Sequence, residues 1–202
     1  MSVILHKNDL PDDLDLGSVI AIDSETMGLR PDRDRLCVVQ LSSGDGTAHL
    51  VQFLDHNYAA PNLKALLSNS DIQKIFHFAR FDVAIIQKYL EVECPNVYCT
   101  KIASRLARTY TDKHGLKHLC RELLGIELSK QQQSSDWGAA ELTTEQLNYA
   151  ASDVYHLHKL KTVLSGMLER EGRTDLAQAC FDFLQTRAAL DLAGWYGDIF
   201  EH

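Results

Sequence analysis

Apolar side chains follow two rhythms along this chain. Through the first hundred residues they come in short runs. Val19, Ile20, Ala21 and Ile22 form a continuous apolar stretch that stops at Asp23 and Glu25, the pattern of a buried strand. Leu36, Val38, Val39 and Leu41 form a second run and residues 48–53 a third, with Gly44-Asp45-Gly46 between them. A glycine-flanked Asp between two β-rich runs predicts a hairpin. A fourth run, residues 74–78 (KIFHF), leads into ARFDVAIIQKYL, where Phe81, Ala84, Ile85 and Lys88 or Tyr89 recur at helical spacing.

After Cys99 the rhythm becomes helical almost to the end. Thr100 stands where it can cap KIASRLAR, and residues 115–125 close on Gly125, a helix terminator. Thr143 followed by Gln146 is a capping-box pattern. The helix it opens carries Leu147, Ala150, Ala151, Val154, Leu157, Leu160, Leu164 and Leu168 on one stripe, up to Gly172. A last helix covers residues 179–192, and the tail holds Trp195, Tyr196 and Phe200. Early strands and late helices predict an α/β (α+β) fold, a mixed sheet of about five strands flanked by helices, with a helical C-terminal half.

Composition narrows the class. The chain has 202 residues, 45% apolar and 24% charged, which predicts one domain over residues 1–202 and excludes a fibre or a coiled coil. No apolar run approaches the ~18 residues of a membrane span, so no membrane partner is expected. The opening MSVILHKNDLPDD has a three-residue apolar stretch and no small-residue cleavage pattern, so no secretory signal is expected. Five cysteines, an odd number without a C-x-x-C pair, read as reduced, mostly buried thiols of a cytoplasmic protein. Net charge is −8, a poor match to long nucleic acid. Charge is uneven, however: Lys101, Arg105, Arg108, Lys113, Lys117 and Arg121 face only Asp112 between residues 101 and 121, a basic stretch or a solvated helix face.

Three acidic signals stand out. Asp23 and Glu25 end a buried strand two residues apart, so their side chains share a face. His77 and Asp82 straddle a strand-to-helix junction, and Tyr149 and Asp153 are one turn apart on a helix. Singly each has an ordinary explanation: solvated acids at a strand end, an Asp helix cap, a surface Tyr–Asp pair. Jointly, four acids from three segments suit a hard cation such as magnesium.

Asp-x-Glu at a strand end, then His-x4-Asp, then Tyr-x3-Asp on a later helix resembles the DEDD exonuclease superfamily in its tyrosine variant. Leu116-Lys117, Gly125–Leu128, Lys130, Ser135-Asp136-Trp137 and Tyr149–Asp153 are similar to the ribonuclease D branch. The segments 33–48, 74–82, 99–117, 129–137, 149–154 and 190–195 resemble its compact nano-RNase C group over almost the whole length, without the extra helical domains of full ribonuclease D. The resemblance implies a single ribonuclease H-like domain and 3′→5′ hydrolysis of phosphodiesters with two divalent cations, Mg²⁺ or Mn²⁺. It implies that Asp23 bridges both ions, that Glu25 and Asp153 hold the first, that Asp82 helps hold the second through water, and that Tyr149 orients the attacking water. It also implies a homo-oligomer, an octameric ring.

Substrate contacts are expected from Leu29, which matches the base-wedging leucine of related oligoribonucleases, and from His77 and the aromatic Phe78 and Phe81, as stacking is sequence-tolerant. Arg105, Arg108, Lys113, His114 and Lys117 are candidates for the backbone or a 5′-phosphate, and Gln133, with Lys130, for substrate or a neighbouring subunit. The leading expectation is an exoribonuclease acting on short RNA, down to dinucleotides. A DNA exonuclease, a tRNA-trimming ribonuclease D and a non-catalytic nucleic-acid-binding module stay open beside it.

Overall fold

The computed structural model describes residues 1–128 and 134–201. Six strands form one mixed sheet: β1 (Ser2–Lys7), β2 (Val19–Thr26), β3 (Leu36–Ser42), β4 (Thr47–Gln52), β5 (Gln73–Phe76) and β6 (Val97–Cys99), in the spatial order β1-β4-β3-β2-β5-β6. β2, β3 and β4 are antiparallel neighbours, whereas β5 and β6 run parallel to β2. β3 is buried along its whole length, as a strand covered on both faces must be. The β3–β4 hairpin turns through Gly44 and Gly46 at φ 85° and 95°, a region only glycine enters without strain.

The expected five strands are six. The four apolar runs become β2 to β5; β6, beside β5, had no run of its own, and neither had β1, which lies parallel to β4 at the sheet edge. Polar cross-strand pairs help hold it: Ser2 Oγ donates to Thr47 Oγ1 at 3.1 Å, Lys7 Nζ donates to Gln52 Oε1 at 2.6 Å, and His6 Nε2 lies 3.0 Å from His49 Nδ1. Such pairing leaves a weak hydrophobic rhythm.

The helices are α1 (Pro61–Ser68), α2 (Ala79–Ile85), α3 (Thr100–Ala107), α4 (Leu116–Leu119), α5 (Thr144–Tyr155), α6 (Leu157–Arg170), α7 (Thr174–Asp182) and α8 (Leu184–Leu192), with wider π turns extending α2 over Ile86–Leu90 and α4 over Cys120–Leu124. The capping box is formed: Gln146 N donates to Thr143 Oγ1 at 3.2 Å and Thr143 N to Gln146 Oε1 at 2.9 Å. The single helix expected from there to Gly172 is two. The backbone leaves helical geometry at His156 (φ −110°, ψ −4°). α6 then packs on β2 and β5, where His158 Nε2 donates to the Val19 carbonyl at 3.0 Å. One buried stripe from Ala150 to Leu168 runs across the break, so its periodicity looks uninterrupted. The last predicted helix likewise divides, at Phe183.

Thr100 does not cap α3. It is the helix's first residue, and its hydroxyl donates to the Phe76 carbonyl at 3.1 Å. Gly125 does end the turn after α4, at φ 69°. All five cysteines are free thiols, four of them buried. Arg80 forks onto Asp191 with two 2.6 Å bonds and fastens the end of α8 to α2, while Trp195, Tyr196 and Phe200 remain exposed. No helix among the described residues is long and apolar enough to cross a membrane.

Candidate active site

β2 and β5 are parallel neighbours, and the site lies beyond their carboxyl ends, where open α/β sheets bind ligands. Alternation along β2 sets Asp23 and Glu25 on one face. Asp82 enters in the first turn of α2, where Ser24 Oγ donates to its Oδ1 at 2.6 Å. α5 packs across β2, β3 and β4 and brings in Asp153, with Tyr149 one turn earlier. An oxygen from each of Asp23, Glu25 and Asp153 lies within 4.8 Å of the others. Asp82 stays outside that triplet yet close enough to raise the pKa of both Asp23 and Glu25.

Burial dominates the electrostatics. It pushes Asp23 and Glu25 well above the ordinary carboxylate range, and the neighbouring acids push them further. Burial also lifts Asp82 and Asp153 to about 7, against bonds from Ser24 and Tyr149 that favour their ionised forms. The Tyr149 phenol is raised by burial and by the three acids beside it, so it stays protonated as a donor. No Lys or Arg forms an ion pair with any of the four acids among the described residues. Buried carboxylates without a partner must hold protons or a cation. An all-oxygen donor set fits a hard divalent ion.

His77 is neutral, lowered to about 3 by burial and by Lys101. Thr100 gives its one hydroxyl proton to Phe76, so at 2.9 Å it accepts from His77 Nδ1, which leaves Nε2 as an acceptor. Phe78 adopts left-handed backbone geometry at φ 70°, at a cost of order 1–3 kcal/mol for a non-glycine residue. Its exposed ring stands at the wall, with Lys101 Nζ 4.0 Å from the ring centroid. Over the acids lies an open cavity of about 770 Å³, and Leu29, His77, Phe78, Phe81 and Lys117 line it.

Other candidates fall elsewhere. Arg108 is buried, and its guanidinium is spent on Glu122, Ser104 Oγ, the Lys113 carbonyl and Tyr110. It is an internal strut and cannot meet a phosphate. His114 Nδ1 lies 2.9 Å from Ser104 Oγ, and neither His114 nor the exposed Arg105 lines the cavity. Gln133 and Lys130 lie outside the described residues. Ser24, Gln40 and His118 had no signal of their own in the sequence, and Lys101 and Trp137 stood out only as parts of a basic stretch and of a ribonuclease D-like segment, with no role at the site. Their chemistry depends on what the fold sets beside them.

A family model for the 3′-5′ exonuclease matches residues 7–169. The chain belongs to the 3′-5′ exonuclease family. Ribonuclease D of Gluconacetobacter diazotrophicus is 35% identical over 157 residues, 77% of this chain and 39% of that protein. The chain spans about two fifths of the length of the ribonuclease D relatives it matches. Solved structures match over the whole chain, among them two of a Brucella melitensis protein. Brucella melitensis NrnC bound to pGG is 55% identical, with a TM-score of 0.96 over 100% of this chain and 99% of that one. Brucella melitensis NrnC with bound Mg²⁺ is 54% identical, with a TM-score of 0.95 over 100% of both. The fold is thus that of the ribonuclease H-like exonucleases, and the family depends on divalent metal.

The raised acids set a pH dependence for the metal-free protein. Unfolded, Asp titrates near 3.8, whereas folded Asp82 and Asp153 hold protons up to about pH 7. Between those values the folded state binds more protons than the unfolded, so stability falls as pH rises. Scanning calorimetry in EDTA should give a lower Tm at pH 8 than at pH 5. Mg²⁺ should recover the loss at pH 8 and add little at pH 5; a Tm that climbs with pH in EDTA would contradict the assignment.

Proposed function

We propose that this protein is a 3′→5′ exoribonuclease that hydrolyses short RNA, down to dinucleotides, to nucleoside 5′-monophosphates with two divalent cations, Mg²⁺ or Mn²⁺. The observation that carries the reading is the convergence of Asp23, Glu25 and Asp153 within 4.8 Å, with Asp82 beside them and, among the described residues, no Lys or Arg in an ion pair with them. Asp23, Glu25 and Asp153 would hold one ion, and Asp82 with Asp23 would help hold the other. When bound, the cations offset the charge that develops on the phosphodiester and acidify the attacking water. Tyr149 orients that water as a hydrogen-bond donor, because its raised pKa rules out service as a base near neutrality.

Substrate length follows from the space and the charge. A cavity of about 770 Å³ is in the range of small-ligand pockets, ~300–1,000 Å³. A chain of net charge −8 gains little from a long polyanion. Leu29, 85% exposed at the rim, is placed to wedge against a base, with Phe78 and Phe81 for stacking and Lys101 and Lys117 for the backbone. The pGG bound by the Brucella NrnC supports a ligand of two-nucleotide length, and the Mg²⁺ of its companion structure supports the ion. The exposed Trp195, Tyr196 and Phe200 suit a subunit contact in a homo-oligomer.

Turnover of RNA two to seven nucleotides long, with single-stranded DNA alongside, tests the substrate class. Hydrolysis should be fastest on the shortest RNAs, stop in EDTA and return with Mg²⁺ or Mn²⁺. A DNA preference would favour the DNA exonuclease, and hydrolysis that survives EDTA would remove the metals. Tyr149→Phe should lower kcat by ~10²-fold or more and leave KM within about twofold, read from steady-state kinetics.

A further inference from the structure

Gln40 lies on the central strand β3, directly opposite Asp23 on β2. It is fully buried, where a polar side chain is expected to satisfy every polar atom. It does not. Its Nε2 spans Asp23 Oδ2 at 3.3 Å and Glu25 Oε1 at 3.5 Å, while its Oε1 has no partner. Turned about, the amide would set Oε1 against two carboxylates, so the acids dictate its orientation. Among the described residues, no other side chain donates to Asp23 or Glu25.

We infer that Gln40 is a positioning residue for the metal site, a neutral donor that fixes the carboxylates of Asp23 and Glu25 and leaves their remaining oxygens turned to the ions. This rests on the metal-dependent reading above. Neutrality is the point. Lysine or arginine at this register would pair with the same acids and take the place of a cation. An apolar residue would fill the volume but let both carboxylates rotate. The amide holds the two acids and adds no positive charge. Both bonds are long because one –NH₂ spans two acceptors on alternate residues of the neighbouring strand. Asparagine, one methylene shorter, cannot span them.

The test is Mn²⁺ binding without substrate, measured by electron paramagnetic resonance on wild type, Gln40→Met and Gln40→Asn, together with Tm in EDTA and steady-state kinetics on a dinucleotide. Partners in the outer shell of a metal site typically change affinity 10–100-fold. Both variants should therefore bind Mn²⁺ at least tenfold more weakly, with a comparable fall in kcat and a KM for RNA within about twofold at saturating Mn²⁺. Wild-type Mn²⁺ affinity in either variant, with only a lower Tm in EDTA, would reduce Gln40 to a packing residue and overturn the proposal. If wild type itself binds no Mn²⁺, the metal site falls, and Gln40's role with it. Should Gln40→Met fail to fold, Gln40→Asn decides alone, since it keeps the amide.

Discussion

Carboxylates that repel one another, held together where water is scarce, are the constraint on which this molecule turns. Two unit charges 4 Å apart repel by about 4 kcal/mol at an effective dielectric of 20. A whole domain is stable by only ~5–15 kcal/mol. Asp23, Glu25 and Asp153, with oxygens within 4.8 Å of one another, therefore cannot all stay ionised without a counter-charge. Protons supply it at low pH, at the expense of reactivity. Divalent cations supply it at neutral pH and bring the Lewis acidity that phosphodiester hydrolysis requires.

Among the described residues, the rest of the fold keeps that demand unmet from within. Ser24 and Gln40 give neutral hydrogen bonds to the acids, which orient them without neutralising them. Buried and half-buried guanidinium groups are committed elsewhere: Arg108 to Glu122 and Arg80 to Asp191. Lys101 and Lys117 instead line the open cavity. The sheet contributes rigidity. β2 is held between β3 and β5, so Asp23 and Glu25 project from a fixed backbone, and the capping box at Thr143 sets the start of the helix that delivers Tyr149 and Asp153.

Much of this was legible in the sequence, because the site is built from regular elements. A strand that ends in Asp23 and Glu25 and a capped helix with Tyr149 and Asp153 one turn apart each fix a direction as well as a position. The missing pieces share a different cause. β1 hides because its pairing rests partly on side-chain hydrogen bonds to β4. The break at His156 hides because the buried stripe ignores it. Arg108 misleads because a basic residue in a basic stretch looks solvent-facing, and only tertiary contact reveals Glu122 and Ser104 around it. Gln40 carries no signal at all, since its role exists only through the residue opposite it on the next strand.

Crystals of the protein grown with Mn²⁺, with data collected at the manganese absorption edge, test the central claim most directly. The account predicts two anomalous peaks at the carboxyl ends of β2 and β5, one against Asp23, Glu25 and Asp153 and the other between Asp23 and Asp82. Manganese elsewhere on the surface, with these four side chains bare, would contradict it.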